Sequence, residues 1–232
     1  MKILILYLHF SKKAMFTRSE ENYLKAIFHL QHEAEDGVST NSLADSLNTK
    51  AASVTEMVKK LAGKKLVSYK KYYGATLTEK GNEHALKVIR KHRLWESFLV
   101  ERLDFNWDEV HDVAEQLEHI QSEKLVDAID KLLNYPKVDP HGDPIPCKDG
   151  TFPKENKSVL SECKIGSKGT IVGVKDSSPV FLKYLDKQEI GISSKFEIKD
   201  KEVFDDALDI EINGAPMKLS AKIAANLFVE IL

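Results

Sequence analysis

Five of the seven prolines fall between residues 136 and 153. No helix crosses such a stretch, because each proline removes a backbone donor and clashes with the turn before it. The cluster divides the chain into two differently patterned regions. Before it, apolar residues recur at helical spacing. After Val159 the runs KGTIVGV, KFEIKDKEV, LDIEI and LFVEIL alternate apolar and polar residues between Gly and Asp turns, the period-two signature of half-buried strands. The fold class expected is α+β. Residues 159–232 are read as a small β-barrel, with a helical turn near residues 180–185 and a hairpin at IEINGAPMKL around Gly214. Residues 136–158 are read as an extended Pro-rich linker, in which His141 has a turn role.

The helical region reads in two parts. A first helix over residues 19–33 is capped by Ser19, repeats Tyr23, Ile27 and Leu30 on one face, and ends at Asp36-Gly37. Ser39 or Thr40 opens a short second helix, NSLADSLN, which turns at Asn48-Thr49. A third, over residues 51–64, carries Val54, Val58 and Leu61 inward at i, i+4 and i+7. LVSYKKYYGATLT then gives two β-rich runs around Tyr73-Gly74. Three helices and a hairpin within about sixty residues have the layout of a winged helix-turn-helix, assigned to residues 15–78. Thr78-Glu79 opens a long helix, and two more follow it as far as Leu133, so residues 79–135 form a helical domain.

At 232 residues, with 42% hydrophobic and 30% charged composition, the chain is in the range of a globular protein of two or three domains. The apolar run of the opening MKILILYLHF is far shorter than a membrane span and lacks a small-residue cleavage site. Residues 1–14 are read as a leader or upstream start, and no other stretch can span a membrane. Cys147 and Cys163 are the only cysteines; they make no disulfide framework, and a reducing cytoplasm is the simpler setting.

The net charge of −2 conceals an asymmetry. Residues 50–80 hold eight Lys against Glu56 and Glu79, a local +6, whereas residues 104–133 hold nine acids against Lys124 and Lys131, a local −7. Such a pair of segments suits a polyanion at one and a cation at the other; two solvated faces of opposite sign are the bland alternative. The basic segment coincides with the reading end of the winged helix. Lys50, Ala52, Ser53, Thr55, Glu56 and Lys59 face outward from the third helix, with Lys60 beyond them and Lys70, Lys71 and Tyr72 at the wing tip. Small and hydroxyl side chains suit base edges in A·T-rich double-stranded DNA, and the lysines suit phosphates. No arginine sits on the third helix for a bidentate guanine contact.

In the acidic segment His111, Glu115, Glu118 and His119 stand at i, i+4, i+7 and i+8, which places them on one helix face. His92 and Glu96, at i and i+4, form a similar pair on the preceding helix. Imidazoles and carboxylates converging without a lysine create a repulsion that a divalent cation removes. Nitrogen and oxygen donors without thiolate suit Mn(II) or Fe(II) more than a structural zinc site, while Zn(II) and other divalent metals bind such a set in vitro. An acidic amphipathic helix with incidental histidines is the alternative.

The segments SEENYLKAIFHL, SVTEMVKKLAGKKLV, LTEKGNEHALKVIRKHRLWESFL, EVHDVAEQLEHIQSE and HGDPIP together resemble the diphtheria-toxin-repressor family, and its manganese-sensing branch in particular, from about Thr17 to Leu232. The resemblance implies a metal-dependent repressor of manganese or iron homeostasis, not an enzyme. It further implies a homodimer that reads a palindromic operator and a C-terminal barrel of SH3-like type. His92, Glu96 and His111 match the family's ancillary site, and Glu115, Glu118 and His119 its main regulatory site. Asn22 stands where iron sensors have Met and manganese sensors have Asp, so it is carried over as a neutral ligand. Lys25 replaces a further Glu of the manganese branch, and Asp176-Ser177-Ser178-Pro179-Val180 lacks the Glu and Gln that reach back to the metal. Two other readings stay open beside the manganese one: an Fe(II)-dependent repressor, and a winged-helix regulator that senses an organic ligand and holds only a structural metal.

Overall fold

The computed structural model describes residues 16–31 and 37–232. The expected leader, His32 and the helix end at Asp36 lie outside the described residues. Two compact units divide at Ala85 and Leu86.

The first unit contains α1 (Arg18–Gln31), α2 (Thr40–Ser46), α3 (Ala51–Gly63), β1 (Val67–Lys70) and β2 (Gly74–Leu77). Leu24 and Ile27 of α1, Leu43 of α2, and Val54, Val58 and Leu61 of α3 are all fully buried and form one apolar core. Ile27, Val54, Val58 and Leu61 are helical-period positions of the sequence, so this part of the core follows directly from the pattern. Ser39 caps α2 by accepting from the Ser42 amide at 3.0 Å. The wing is an antiparallel hairpin with Val67 opposite Leu77 and Lys70 opposite Gly74. Val38 adds a third rung, exchanging two backbone bonds of 2.9 Å with Ala75. Gly74 makes that approach possible: its φ is +92°, and a Cβ there would lie 2.5 Å from the Val38 carbonyl oxygen.

One cap differs from expectation. Ser19 is exposed inside the first turn, and Thr17 caps α1 instead. Thr17 Oγ1 accepts from the Glu20 amide at 3.3 Å, and Glu20 Oε2 accepts from the Thr17 amide at 3.1 Å. This reciprocal pair is a capping box, and its spacing, Thr-x-x-Glu, is present in the sequence.

The second unit starts within α4 (Glu79–Leu103) and continues through α5 (Val110–Leu117) and α6 (Glu123–Leu132). Leu94, Trp95, Ala114, Ile129 and Leu133 pack together. Ile145, from the proline-rich stretch, completes this core. Residues 136–146 are therefore a packed strap rather than a free linker. Arg90 donates to the Pro146 carbonyl at 2.6 Å and pairs with buried Asp130 at 2.6 Å, while Arg93 donates to the Pro144 carbonyl.

The strand-rich region forms a six-stranded antiparallel sheet in the order β3 (Ser158–Val159), β8 (Leu227–Ile231), β4 (Lys168–Val174), β5 (Lys195–Lys201), β6 (Leu208–Ile212), β7 (Ala215–Leu219). The helix α7 (Pro179–Lys187), capped by Ser178, buries Leu182 and Leu185 against it. A single turn, α8 (Ala221–Ala224), precedes the last strand. The Gly214 hairpin forms as expected, with Asn213 and Gly214 both at positive φ. Trp107 Nε1 donates to Asp186 Oδ1 on α7 at 3.0 Å, and Lys183 Nζ lies 3.3 Å from Asp108, so α7 is fastened to the loop before α5.

Inside the first unit, Glu20 is fully buried against Lys64 Nζ at 2.6 Å and Lys60 Nζ at 3.1 Å. Burial opposes its ionisation, yet Lys64, the Thr17 amide and Lys60 hold its carboxyl down at about 2, against an ordinary 4.5. A depressed folded-state value means that this contribution is complete above pH 4.5 and disappears as pH falls toward 2. Amide protection in α1 and α3 is therefore expected to decline over that window, and to decline less in Glu20→Gln, as hydrogen exchange would show.

Candidate metal centre and nucleic-acid interface

Glu96 sits three turns along α4 from Ala85 and is 3% exposed at its side chain. Imidazoles from three elements surround it. His92 Nε2, one turn earlier on α4, lies 3.0 Å from Oε1; His111 Nδ1, on α5, lies 3.5 Å from the same oxygen; His141 Nδ1, on the strap, lies 3.7 Å from Oε2. Burial works against its charge, and these three rings hold the carboxyl well below the usual range.

His92 extends the cluster. Its Nδ1 is 2.7 Å from Oε2 of Glu118, which is fully buried. Each ring nitrogen thus faces a buried carboxylate, and only an imidazolium can donate to both. A neutral His92 presents a lone pair to one of them, an arrangement that suits a cation between the two. His111 Nε2 is 3.7 Å from Glu115, and His119 Nε2 is 3.6 Å from Glu118. The α5 helix ends at Leu117; Glu118 is its C-cap residue, keeps helical dihedrals and donates its amide to the Ala114 carbonyl at 2.8 Å, so it continues the face that carries Glu115.

Among the described residues, three sets of side chains bring a ligand atom each within 4.8 Å of one another: His92, Glu96 and His111; His92, Glu115 and Glu118; and Glu96, Asp139 and His141. The first set is one the sequence placed together. The third contains two residues that sequence reasoning missed; His141 stands in a turn as expected, its amide donating to Asp139 Oδ1, and its ring faces Glu96 as well. His141 Nε2 is 2.7 Å from the Trp107 carbonyl oxygen, which can only accept. In the neutral ring the proton is thereby fixed on Nε2, and Nδ1 is directed at Glu96, the arrangement by which an outer hydrogen bond orients a metal-ligating histidine. Despite burial, the Glu96 and Asp139 carboxylates push the His141 ring up to about 9. Burial, then Glu96 and Asp143, push Asp139 up to about 7, against the pull of Arg93. Asp139 is anchored through Oδ1, which accepts from the His141 and Asp143 amides at 2.8 and 3.0 Å. The available signal was Asp139-Pro140-His141, an Asp two residues before a His, running directly into the HGDPIP stretch.

The donor set fits a hard or borderline divalent cation, since every ligand in these sets is carboxylate or imidazole. Cys147 is exposed and Cys163 packs against the sheet core, and neither belongs to any of the sets. In the first unit, Asn22 Oδ1 is a buried oxygen with no hydrogen-bond partner among the described residues. Ser177, Ser178 and Pro179 share a small cleft with Asp108, Glu109, His111 and Asp112, so the sheet domain offers hydroxyls beside His111.

On the basic face, Lys50, Ala52, Ser53, Glu56 and Lys59 are exposed on or just before α3, and Lys70, Lys71 and Tyr72 on the wing. Tyr72 is 90% exposed at positive φ, with Lys71 Nζ 4.9 Å from its ring centre. Two expected contacts have local partners. The Thr55 hydroxyl donates to the Ala51 carbonyl at 3.0 Å, and Lys60 pairs with Glu20.

Three family models match consecutive parts of the chain: the iron dependent repressor N-terminal DNA binding domain over residues 15–75, the iron dependent repressor metal binding and dimerisation domain over 78–147, and the FeoA domain over 159–231. A solved manganese-dependent transcriptional repressor in complex with manganese is 37% identical. It aligns over 92% of this chain and 100% of its own, with a TM-score of 0.82. A transcriptional regulator of Oceanobacillus iheyensis, MntR, is 35% identical over 125 residues, 54% of this chain and 84% of that protein. A probable metal transport system membrane protein of Chlamydia trachomatis is 36% identical over 138 residues, 57% of this chain but only 30% of its own length. No helix of the described residues is long and apolar enough to cross a membrane.

Gly142 lets the strap bring His141 inward. Its φ is +85°, and a Cβ would lie 2.1 Å from the Val172 carbonyl oxygen and 2.4 Å from Gly173 Cα. Gly142→Ala is expected to cost about 1–3 kcal/mol of stability and to weaken Mn(II) binding by displacing Asp139 and His141. Thermal melting and metal titration of the variant check both; wild-type values in each would refute the role.

Proposed function

The chain belongs to the diphtheria-toxin-repressor family of metal-dependent transcriptional regulators, and from that premise we propose a repressor switched on by Mn(II) through the histidine–carboxylate cluster around Glu96. The observation that carries this reading is the convergence of His92, His111 and His141 on one buried carboxylate. A bound divalent cation supplies the positive charge that these carboxylates otherwise obtain from protons.

The proposed ligands are His92, Glu96 and His111; Glu115, Glu118 and His119; Asn22; and, added to these, Asp139 and His141. Asn22 contributes a carbonyl oxygen in place of a carboxylate, and the lack of a hydrogen-bond partner for its buried Oδ1 among the described residues supports that role. Glu96, Glu118 and Asp139 give oxygen donors, which favour Mn(II) and then Fe(II) on hardness. Zn(II) binds a nitrogen and oxygen set more tightly in vitro, so the transcriptional response and not affinity identifies the cellular metal.

On the DNA side, Ala52, Ser53, Thr55 and Glu56 of α3 present small and polar groups to base edges. Lys50, Lys59, Lys70, Lys71 and Tyr72 reach the phosphates. A homodimer reading two half-sites of a palindrome matches the dimerisation-domain similarity over residues 78–147. Such a protein acts in the cytoplasm, shutting off a manganese or iron uptake gene when metal is plentiful. The cleft beside His111 is lined by Asp108, Glu109 and Asp112, a poor lining for an organic co-repressor.

Replacing Glu118 and His119 together by alanine tests the reading. The gain in operator affinity on adding Mn(II), on the order of 5- to 150-fold for an allosteric coupling of ordinary size, is expected to vanish while the dimer persists by sedimentation. Retention of the full gain would contradict the assignment.

A further inference from the structure

The partner of Thr17 in the capping box of α1, Glu20, has a second task that bears on signalling. Glu20 uses both carboxylate oxygens: Oε2 accepts from the Thr17 amide at 3.1 Å, while Oε1 receives Lys64 Nζ at 2.6 Å and lies 3.1 Å from Lys60 Nζ. Lys60 and Lys64 stand one turn apart at the C-terminal end of α3, and Phe16 covers Lys64 with its ring centre 5.5 Å from Nζ. Glu20 is fully buried, whereas the two lysines remain half exposed. By contrast Lys50, Lys59 and Lys70 are exposed and have no acidic partner among the described residues.

We propose that Glu20 is the positioning residue that locks α1 to the recognition helix α3, and that Lys60 and Lys64 serve this lock instead of the DNA backbone. The proposal rests on the metal reading above, in which α1 supplies Asn22, two residues beyond Glu20. Apolar packing of Leu24 and Ile27 against Val54, Val58 and Leu61 holds the helices together, but such contacts are non-directional and tolerate sliding or rotation. Charge-assisted hydrogen bonds are short and directional. Placed where the start of α1 meets the end of α3, they make the two helices move as one piece. A change imposed on α1 at Asn22 is then delivered to the DNA-reading face and is not lost in the packing between the helices.

Three full-length variants test this, each measured for Mn(II) affinity by electron paramagnetic resonance and for operator affinity across a salt series. Glu20→Gln keeps an acceptor for the cap but loses the charge. It is expected to bind Mn(II) as wild type does and to bind the operator roughly tenfold more weakly in saturating Mn(II). Its slope of log affinity against log salt should match wild type, since no phosphate contact is lost. Lys60→Met is expected to behave likewise; a lysine that met a phosphate would instead lower that slope by about one. Thr17→Ala removes the cap without touching the lysines, so it is expected to lose thermal stability but keep operator affinity.

Wild-type operator affinity in Glu20→Gln, a reduced slope in Lys60→Met, or an equal loss of affinity in Thr17→Ala would each overturn the proposal. A wild-type chain whose operator affinity ignored Mn(II) would overturn the metal reading instead, and the salt slopes would still decide the part played by Lys60.

Discussion

A buried carboxylate that must be satisfied organises the second unit. Glu96 has almost no contact with water, and an unpaired charge in that position costs several kcal/mol. Its satisfaction comes from imidazoles on α4, α5 and the strap, so three separate segments have to meet at one point. Glu118 and Asp139 add further buried carboxylates around the same rings. The cluster is therefore poised between protons and a cation, and anything that changes its occupancy is felt by all three segments at once.

The strap reaches this point because α4 grips it. Arg90, Arg93 and Glu96 follow one another at intervals of three along α4, on neighbouring turns of one face. The two arginines hold the carbonyls of Pro146 and Pro144, and Arg93 lies 3.6 Å from Asp139 and 3.3 Å from Asp143. A stretch without regular secondary structure is thus fixed by side-chain bonds, and Ile145 seals it into the helical core. Trp107 connects the same place to the sheet domain: its carbonyl sets the His141 tautomer and its indole donates to Asp186 on α7.

Much of this architecture was legible in the sequence. The helical periods of α1 and α3 named much of the core of the first unit, and alternation after Val159 named the strands. The Asn213-Gly214 turn was legible because positive φ selects those residue types. His92, Glu96, His111, Glu115 and Glu118 were legible because helical spacing converts directly into a shared face. The contribution of Asp139 and His141 was not, since their inward direction depends on bonds from Arg90 and Arg93 that are about fifty residues distant in sequence. Proline content shows that a segment is not helical; it does not say whether the segment is loose or clamped. The pairing of Lys60 with Glu20 was hidden for a similar reason, because a lysine pattern does not reveal which members already have a buried partner.

The most direct test of the central claim is an anomalous difference map from crystals of the chain grown with Mn(II). The account expects a peak within bonding distance of Glu96 or Glu118 and at least one imidazole nitrogen of His92, His111 or His141. Manganese found only on surface carboxylates, with His92 still bridging Glu96 and Glu118, would contradict it.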